Sequence, residues 1–191
     1  IYGLQNEKAY NVGSNVTYKF KFNYRSGTLS ADYYYTHFLN QVLADWEQER
    51  TISFYNSTKP SYAHSLQVQL DYEPIRKLDV RIAYRYHDVR ATYRNQLLQR
   101  PLNARHRAFI NASYTTRSKW SFDYTLQWTG SKRIPSTALN PAALQFSQQS
   151  PSFFTMNAHI NKSLSNRIEV YSGIENILNY MQQTSIIDAQ N

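Results

Sequence analysis

The chain has 191 residues with 41% hydrophobic and 15% aromatic residues, 17 Tyr, 5 Gly, no Cys and a formal charge of +8. So much aromatic side chain argues against disorder, and the lack of Cys removes disulfide scaffolds and thiolate metal sites together. No run approaches the roughly 18 apolar residues of a spanning helix, yet the mean hydropathy of -0.64 does not settle solubility, because membrane β-barrels alternate lipid-facing and lumen-facing residues and average out to polar.

Pattern therefore decides. Residues 15–24 alternate strictly, with Asn15, Thr17, Lys19, Lys21 and Asn23 on one face and Val16, Tyr18, Phe20, Phe22 and Tyr24 on the other; period two predicts a strand. A turn is expected at residues 25–27. The second strand then puts Leu29, Ala31, Tyr33, Tyr35 and Leu39 on its apolar face. A third, from Ser61, sets Tyr62, Leu66, Val68, Leu70 and Tyr72 against Ser65, Gln67, Gln69 and Asp71. In the fourth, Leu78, Val80, Ile82, Tyr84 and Tyr86 oppose Asp79, Arg81, Arg85 and His87. The fifth, over residues 105–115, has Ala108, Ile110, Ala112 and Tyr114 against Arg105, Arg107, Asn111 and Ser113. Trp120, Phe122, Tyr124, Leu126 and Trp128 line the sixth, opposed to Ser121, Asp123, Thr125 and Gln127. The seventh carries Phe154, Met156, Ala158 and Ile160, and the eighth Ile168, Val170 and Ile174 against Arg167, Glu169 and Glu175.

No position assigned to the apolar face is Asp, Glu, Lys or Arg, although 18% of the chain is charged. A half-buried soluble sheet seldom excludes charge over so many consecutive strands, whereas a lipid face must, since Lys or Arg at the bilayer midplane costs about 2–4 kcal/mol. The connections agree. Short turns at residues 25–27, 73–77, 116–119 and 163–166 alternate with long connections at 40–60, 88–104 and 130–151, the short periplasmic and long extracellular pattern of an outer-membrane barrel. Tyr24, Tyr72, Tyr114 and Trp120 fall beside short turns and Tyr86 and Trp128 near the opposite rim, as two interfacial girdles require. The expectation is an all-β, antiparallel transmembrane barrel. Both ends of the chain fall on the long-loop side, so residues 1–191 read as one continuous part of a single, longer barrel domain.

Residues 171–180, Tyr-Ser-Gly-Ile-Glu-Asn-Ile-Leu-Asn-Tyr, resemble the penultimate strand of the TonB-dependent receptors of the Gram-negative outer membrane, closest in flavour to those of the Bacteroidota. Ile177-Leu178 stands where Leu-Phe is commoner. Also similar are Leu98-Gln99-Arg100-Pro101-Leu102 leading into Arg105-His106-Arg107, with Ala104 in place of a frequent proline, and Trp128-Thr129-Gly130 followed by Arg133-Ile134-Pro135. The resemblance implies eight strands of a 22-stranded barrel, without its N-terminal plug, TonB box and closing strand. It further implies a receptor importing a scarce nutrient such as an iron chelate, haem, cobalamin or another metal complex. Its partners would be the TonB complex, reached through the absent N-terminal region, and a small-molecule or metal-chelate ligand, with a surface lipoprotein as a further candidate. Outer-membrane lipid and lipopolysaccharide would surround it, with Arg90, Arg94 and Lys132 near the phosphates.

Candidate ligand contacts are the inward Arg81, Arg85, His87, Arg105 and Arg107, together with Trp46 and Tyr93 in the long loops, whose rings are available for stacking. The competing reading pairs these arginines with inward Asp32, Asp71, Asp79, Asp123, Glu169 and Glu175, or with a plug, and leaves the loops merely solvated. His37, His64 and His106 fall on the apolar face, and no His, Asp or Glu spacing points to a metal. Ser172 has no G-x-S-x-G context, so no enzyme is expected, and no phosphate loop or cofactor site is visible. Aromatics and bases occupy opposite faces, wrong for a nucleic-acid groove. Two other classes stay open: a receptor-like barrel serving as a structural subunit of a larger outer-membrane assembly, and a small barrel adhesin.

Overall fold

The period-two pattern becomes strand almost throughout. The computed structural model describes residues 3–47, 51–138, 141–142 and 145–182, and among them the secondary-structure elements are ten strands: β1 (Lys8–Phe22), β2 (Arg25–Asp45), β3 (Ser53–Ser57), β4 (Tyr62–Ile75), β5 (Leu78–Tyr93), β6 (Gln96–Gln99), β7 (His106–Thr115), β8 (Trp120–Thr129), β9 (Phe153–Ser163) and β10 (Glu169–Ile174). Eight pair in an antiparallel meander, β1-β2-β4-β5-β7-β8-β9-β10, while β3 folds back on β2 and β6 on β5.

Register keeps the two faces apart across the whole sheet. One ladder row runs Tyr18, Leu29, Leu70, Ile82, Ile110, Leu126, Met156 over seven strands. A slip of one residue would turn that row over, so the pattern specifies the pairing. Among the described residues nothing covers these side chains: Tyr18 is 63% exposed, Leu29 and Ile82 42% and Ile110 43%. The apolar band has the height of a bilayer core. On β4, Tyr62 and Tyr72 mark its two rims; at about 3.3 Å per residue they stand about 33 Å apart along the strand, or about 25 Å after the roughly 40° tilt of membrane barrels.

The protein's own hydrophobic core lies elsewhere. Leu43, Ala91 and Tyr93 are buried together, with Tyr55 and Leu98 packed on them. All five belong to the hairpins β2–β3 and β5–β6, beyond the outer rim. The described residues of the long connections at 40–60 and 88–104 are thus largely extensions of the wall, whereas those of 130–151 form no strand and are held by the bridges Ala104 to Lys132 and Arg133 to Gln149.

The first turn also differs from expectation. It lies at Asn23-Tyr24, with φ of 47° and 58°, and Phe22 pairs with Arg25. This is the two-residue geometry whose positive φ values match strand twist. Gly27, which suggested a turn, sits inside β2 opposite Phe20, where a Cβ would come within 2.3 Å of the phenyl ring; the ring covers the glycine. On the polar face, Arg81 pairs with Asp71 at 2.6 Å, but other inward acids are taken by neutral donors: Asn15 donates to Asp32 at 2.5 Å, Asn111 to Asp123 at 3.0 Å and Ser163 to Glu169 at 2.8 Å.

Leu126 and Gln127 are neighbours on opposite faces of β8. Leu126→Arg is expected to destabilise the inserted barrel by about 2–4 kcal/mol and to deplete its heat-modifiable form on electrophoresis, while Gln127→Arg leaves that form intact.

Candidate ligand path on the polar face

Strands β5 and β7 place four of the inward basic residues together because their registers align like with like. Arg85 stands directly opposite Arg107, and the His87 amide donates to the Arg105 carbonyl at 2.7 Å, which brings the next pair alongside. Arg85, His87, Asn103, Ala104, Arg105 and Arg107 line a cavity of about 200 Å³.

Their charges are not equally committed. Arg105 approaches Asp88 at 2.9 Å, as does Arg90 from the other side. The Arg105 contact is an ion pair without an aligned N–H. Arg85 and Arg107 make no ion pair among the described residues. Like charges directly opposite on a sheet are destabilising; two forked guanidiniums in that position favour an oxyanion between them. The His87 Nδ1 is buried without a hydrogen-bond partner, a further polar atom whose desolvation a bound group would offset.

Of the other predicted contacts, Arg81 is tied to Asp71 nearer the short turns. Tyr93 is corrected outright: at 2% exposure it is an anchor of the hairpin core, with no ring face left for a ligand. Trp46 is half-buried just after β2 and does not line the cavity. Gln48, Glu49 and Arg50 of the same loop lie outside the described residues.

Above the cavity the loops are drawn into one lip by a single guanidinium. Arg133 donates through Nη1 and Nη2 to the Glu47 carboxylate and through Nε to the Gln99 carbonyl at 2.6 Å, so three consecutive connections meet at one side chain. Side-chain exposures of 17% for Arg133 and 11% for Glu47 make this a mostly buried pair. Nothing in the spacing of Glu47 and Arg133 announces it. Tyr55 supports the lip from β3, donating to Asp45 at 3.2 Å; burial first, then the Asp45 carboxylate, push its phenol from 10.0 up to about 12.

The residues that carried the sequence resemblance form a closed turn. Asn176 accepts from the Tyr180 amide at 3.0 Å, donates to the Tyr180 carbonyl at 3.0 Å, and takes φ of 49°, as does Asn179; asparagine tolerates that conformation and bonds its own backbone. Tyr180 then stacks on Phe153 at 4.2 Å. A second cavity of about 1150 Å³ opens beside this stack, lined in part by Lys132, Ile134, Phe146 and Met181.

No protein-family model matches the chain, and no curated protein sequence does. Solved structures do. The fold is similar to that of the ferric-catecholate import receptor Fiu of E. coli K12 in its closed form, with a TM-score of 0.60 and 14% identity over 93% of this chain and 24% of that one. It is similar also to a point mutant of the ferric enterobactin receptor PfeA of Pseudomonas aeruginosa, with a TM-score of 0.61 and 11% identity over 89% of this chain and 26% of that one. The chain spans about a quarter of each receptor. Its fold is similar to a section of the β-barrel wall of these two receptors.

Two outcomes follow for the lip. Glu47→Ala leaves the Arg133 charge uncompensated, at a cost of about 3 kcal/mol, and should speed tryptic cleavage within residues 130–151 without changing the heat-modifiable barrel. Because the Tyr55 pKa is raised on folding, its contribution to the lip is complete below pH 10.0 and is lost as pH rises towards about 12; the phenolate absorbance that Tyr55→Phe removes should appear only near that upper value, and at lower pH in Asp45→Asn.

Proposed function

We propose that this chain is wall and outer lip of a TonB-dependent receptor in the Gram-negative outer membrane, one continuous part of a single barrel domain, and that the receptor imports an anionic iron chelate. One observation carries the reading: the uncompensated Arg85–Arg107 pair opens on the polar face of a sheet whose fold is similar to two receptors for ferric chelates. A negatively charged chelate that has passed the Arg133 lip would meet this pair next. Two guanidiniums can hold it through charge-assisted, forked hydrogen bonds, and neighbouring amides and hydroxyls on the wall offer weaker steps onward. Binding must stay moderate for release, which suits a pair of exchangeable contacts better than a fully enclosed site. Energy would come from the inner membrane through TonB and a plug, with no bond in the ligand broken. Outer-membrane lipid, lipopolysaccharide and a surface lipoprotein are proposed as its surroundings and partners.

The test is uptake of a radiolabelled ferric catecholate by cells whose sole catecholate receptor is the full-length protein. Uptake should fall to background when a proton-gradient uncoupler is added, while binding at the cell surface persists. Arg85→Gln combined with Arg107→Gln should lower uptake about tenfold, the equivalent of roughly 1.4 kcal/mol, at unchanged barrel abundance. Uptake that ignores the uncoupler would contradict the transporter reading and favour a porin-like or purely structural barrel.

A further inference from the structure

Two neighbouring turns at the short-turn end of the sheet form one basic recess. Residues 116–119, between β7 and β8, and 164–168, between β9 and β10, are stitched side by side. The Ser163 amide donates to the Lys119 carbonyl at 3.2 Å, and the Lys162 ammonium donates to the Ser118 carbonyl at 2.5 Å while lying 4.9 Å over the Trp120 ring. The second turn is also closed on itself: the Leu164 amide donates to the Ile168 carbonyl at 3.0 Å, and the Ser165 hydroxyl accepts from the Arg167 and Ile168 amides at 3.2 and 3.1 Å. Lys119, Ser163, Ser165, Asn166, Arg167 and Ile168 line a cavity of about 480 Å³, larger than the one at the Arg85–Arg107 pair.

The charge of this recess is unbalanced. Its carboxylate, Glu169, stands opposite Ser163 and accepts from that hydroxyl at 2.8 Å, while Lys119 and Arg167 make no ion pair among the described residues. The turn between β4 and β5 shows the contrast, because there Glu73 takes both the Lys77 amide at 2.8 Å and the Arg25 guanidinium at 3.6 Å. By alternation Ser163 and Glu169 share the polar face with Asn161 and His159, so the recess opens on the same face as Arg85 and Arg107. Of the acids higher on that face, Asp123 is capped by Asn111 and Asp79 stands two strands away on β5. Along β7 the distance from Arg107 to Thr115 is about 26 Å, or about 20 Å in depth after the strand tilt.

We propose that this recess is a second anion station, at the periplasmic mouth of the lumen, where an anionic chelate that has left the Arg85–Arg107 pair is held by Lys119 and Arg167 before release. The station rests on the import reading above. Two flexible cations among hydroxyl and amide groups bind an oxyanion through exchangeable charge-assisted contacts, and a positive mouth draws an anion down the wall. Weak sites in series pass a ligand onward because each is favourable enough to enter and none holds it long.

The test is uptake of a radiolabelled ferric catecholate, over a range of concentrations, by energised cells whose sole catecholate receptor is the full-length protein. Lys119→Gln with Arg167→Gln should lower the maximal rate about threefold while the half-saturating concentration and surface binding stay unchanged, and Lys119→Arg with Arg167→Lys should retain the wild-type rate. An unchanged maximal rate would overturn the station. So would a loss of surface affinity, which would place the effect at the outer mouth. Faster proteolysis of the plug in the resting variant would mean that the bases anchor an acidic plug segment, and overturns it as well. If wild-type uptake is uncoupler-sensitive and the variant transports normally, the station alone fails; uptake that ignores the uncoupler overturns both readings. Should the double variant not assemble, Arg167→Gln alone must still lower the maximal rate.

Discussion

A sheet whose apolar face is left open by the described residues is the constraint from which the rest follows. Rows of Tyr, Leu, Ile and Phe stand open over seven strands, and in water such a surface would associate or aggregate. Lipid removes the conflict. It also explains why charge is absent from the central rows, why aromatic rings collect at both rims, and why the cluster of large buried hydrophobics lies in two hairpins beyond the outer rim. From β2 to β9 each wall strand is paired on both sides, which satisfies the backbone as a bilayer demands.

The polar face follows the opposite logic. Amides and hydroxyls cap most of the carboxylates, so the arginines are not neutralised one for one. Arg81 has Asp71, Arg105 and Arg90 share Asp88, and Arg85 and Arg107 are left opposing each other. The result is a local excess of positive charge at a defined depth of the wall, the feature on which the proposed anion path rests. Above it, Arg133 gathers three connections, so the mouth is shaped by one mostly buried side chain as much as by the loops' length.

Alternation makes the eight wall strands, both faces and the antiparallel order legible in the amino-acid sequence, because a period of two is a strong local signal and each strand repeats it. Local turn chemistry is less legible. Gly27 resembles a turn residue but serves as the floor for the Phe20 ring, while Asn23 and Tyr24, neither of them glycine, make the turn. Strands β3 and β6, of five and four residues, are too short to show a period; Tyr93, which reads as an exposed loop ring, is buried through a contact between those hairpins that only tertiary structure creates. The arginine cluster is readable as inward charge, but its pairing is not. Asp88 takes two arginines from a position not counted among the inward acids, whereas Asp32 and Asp123 turn to asparagines. The outward histidines are visible as an oddity of the pattern; the tyrosines that bond His64 and His106 come from adjacent strands and need the register.

The most direct test of the central claim uses the chain's three tryptophans. Single-tryptophan versions of the full-length protein, reconstituted in bilayers of brominated lipid, separate wall from lip. Trp120 and Trp128, on the apolar face of β8 at opposite rims, should be quenched strongly by bromine on the upper acyl chain and weakly by aqueous iodide; Trp46, in the lip, should show the reverse. Iodide quenching of Trp120 and Trp128 without bromolipid quenching would mean that this face meets water, and the membrane wall would have to be abandoned.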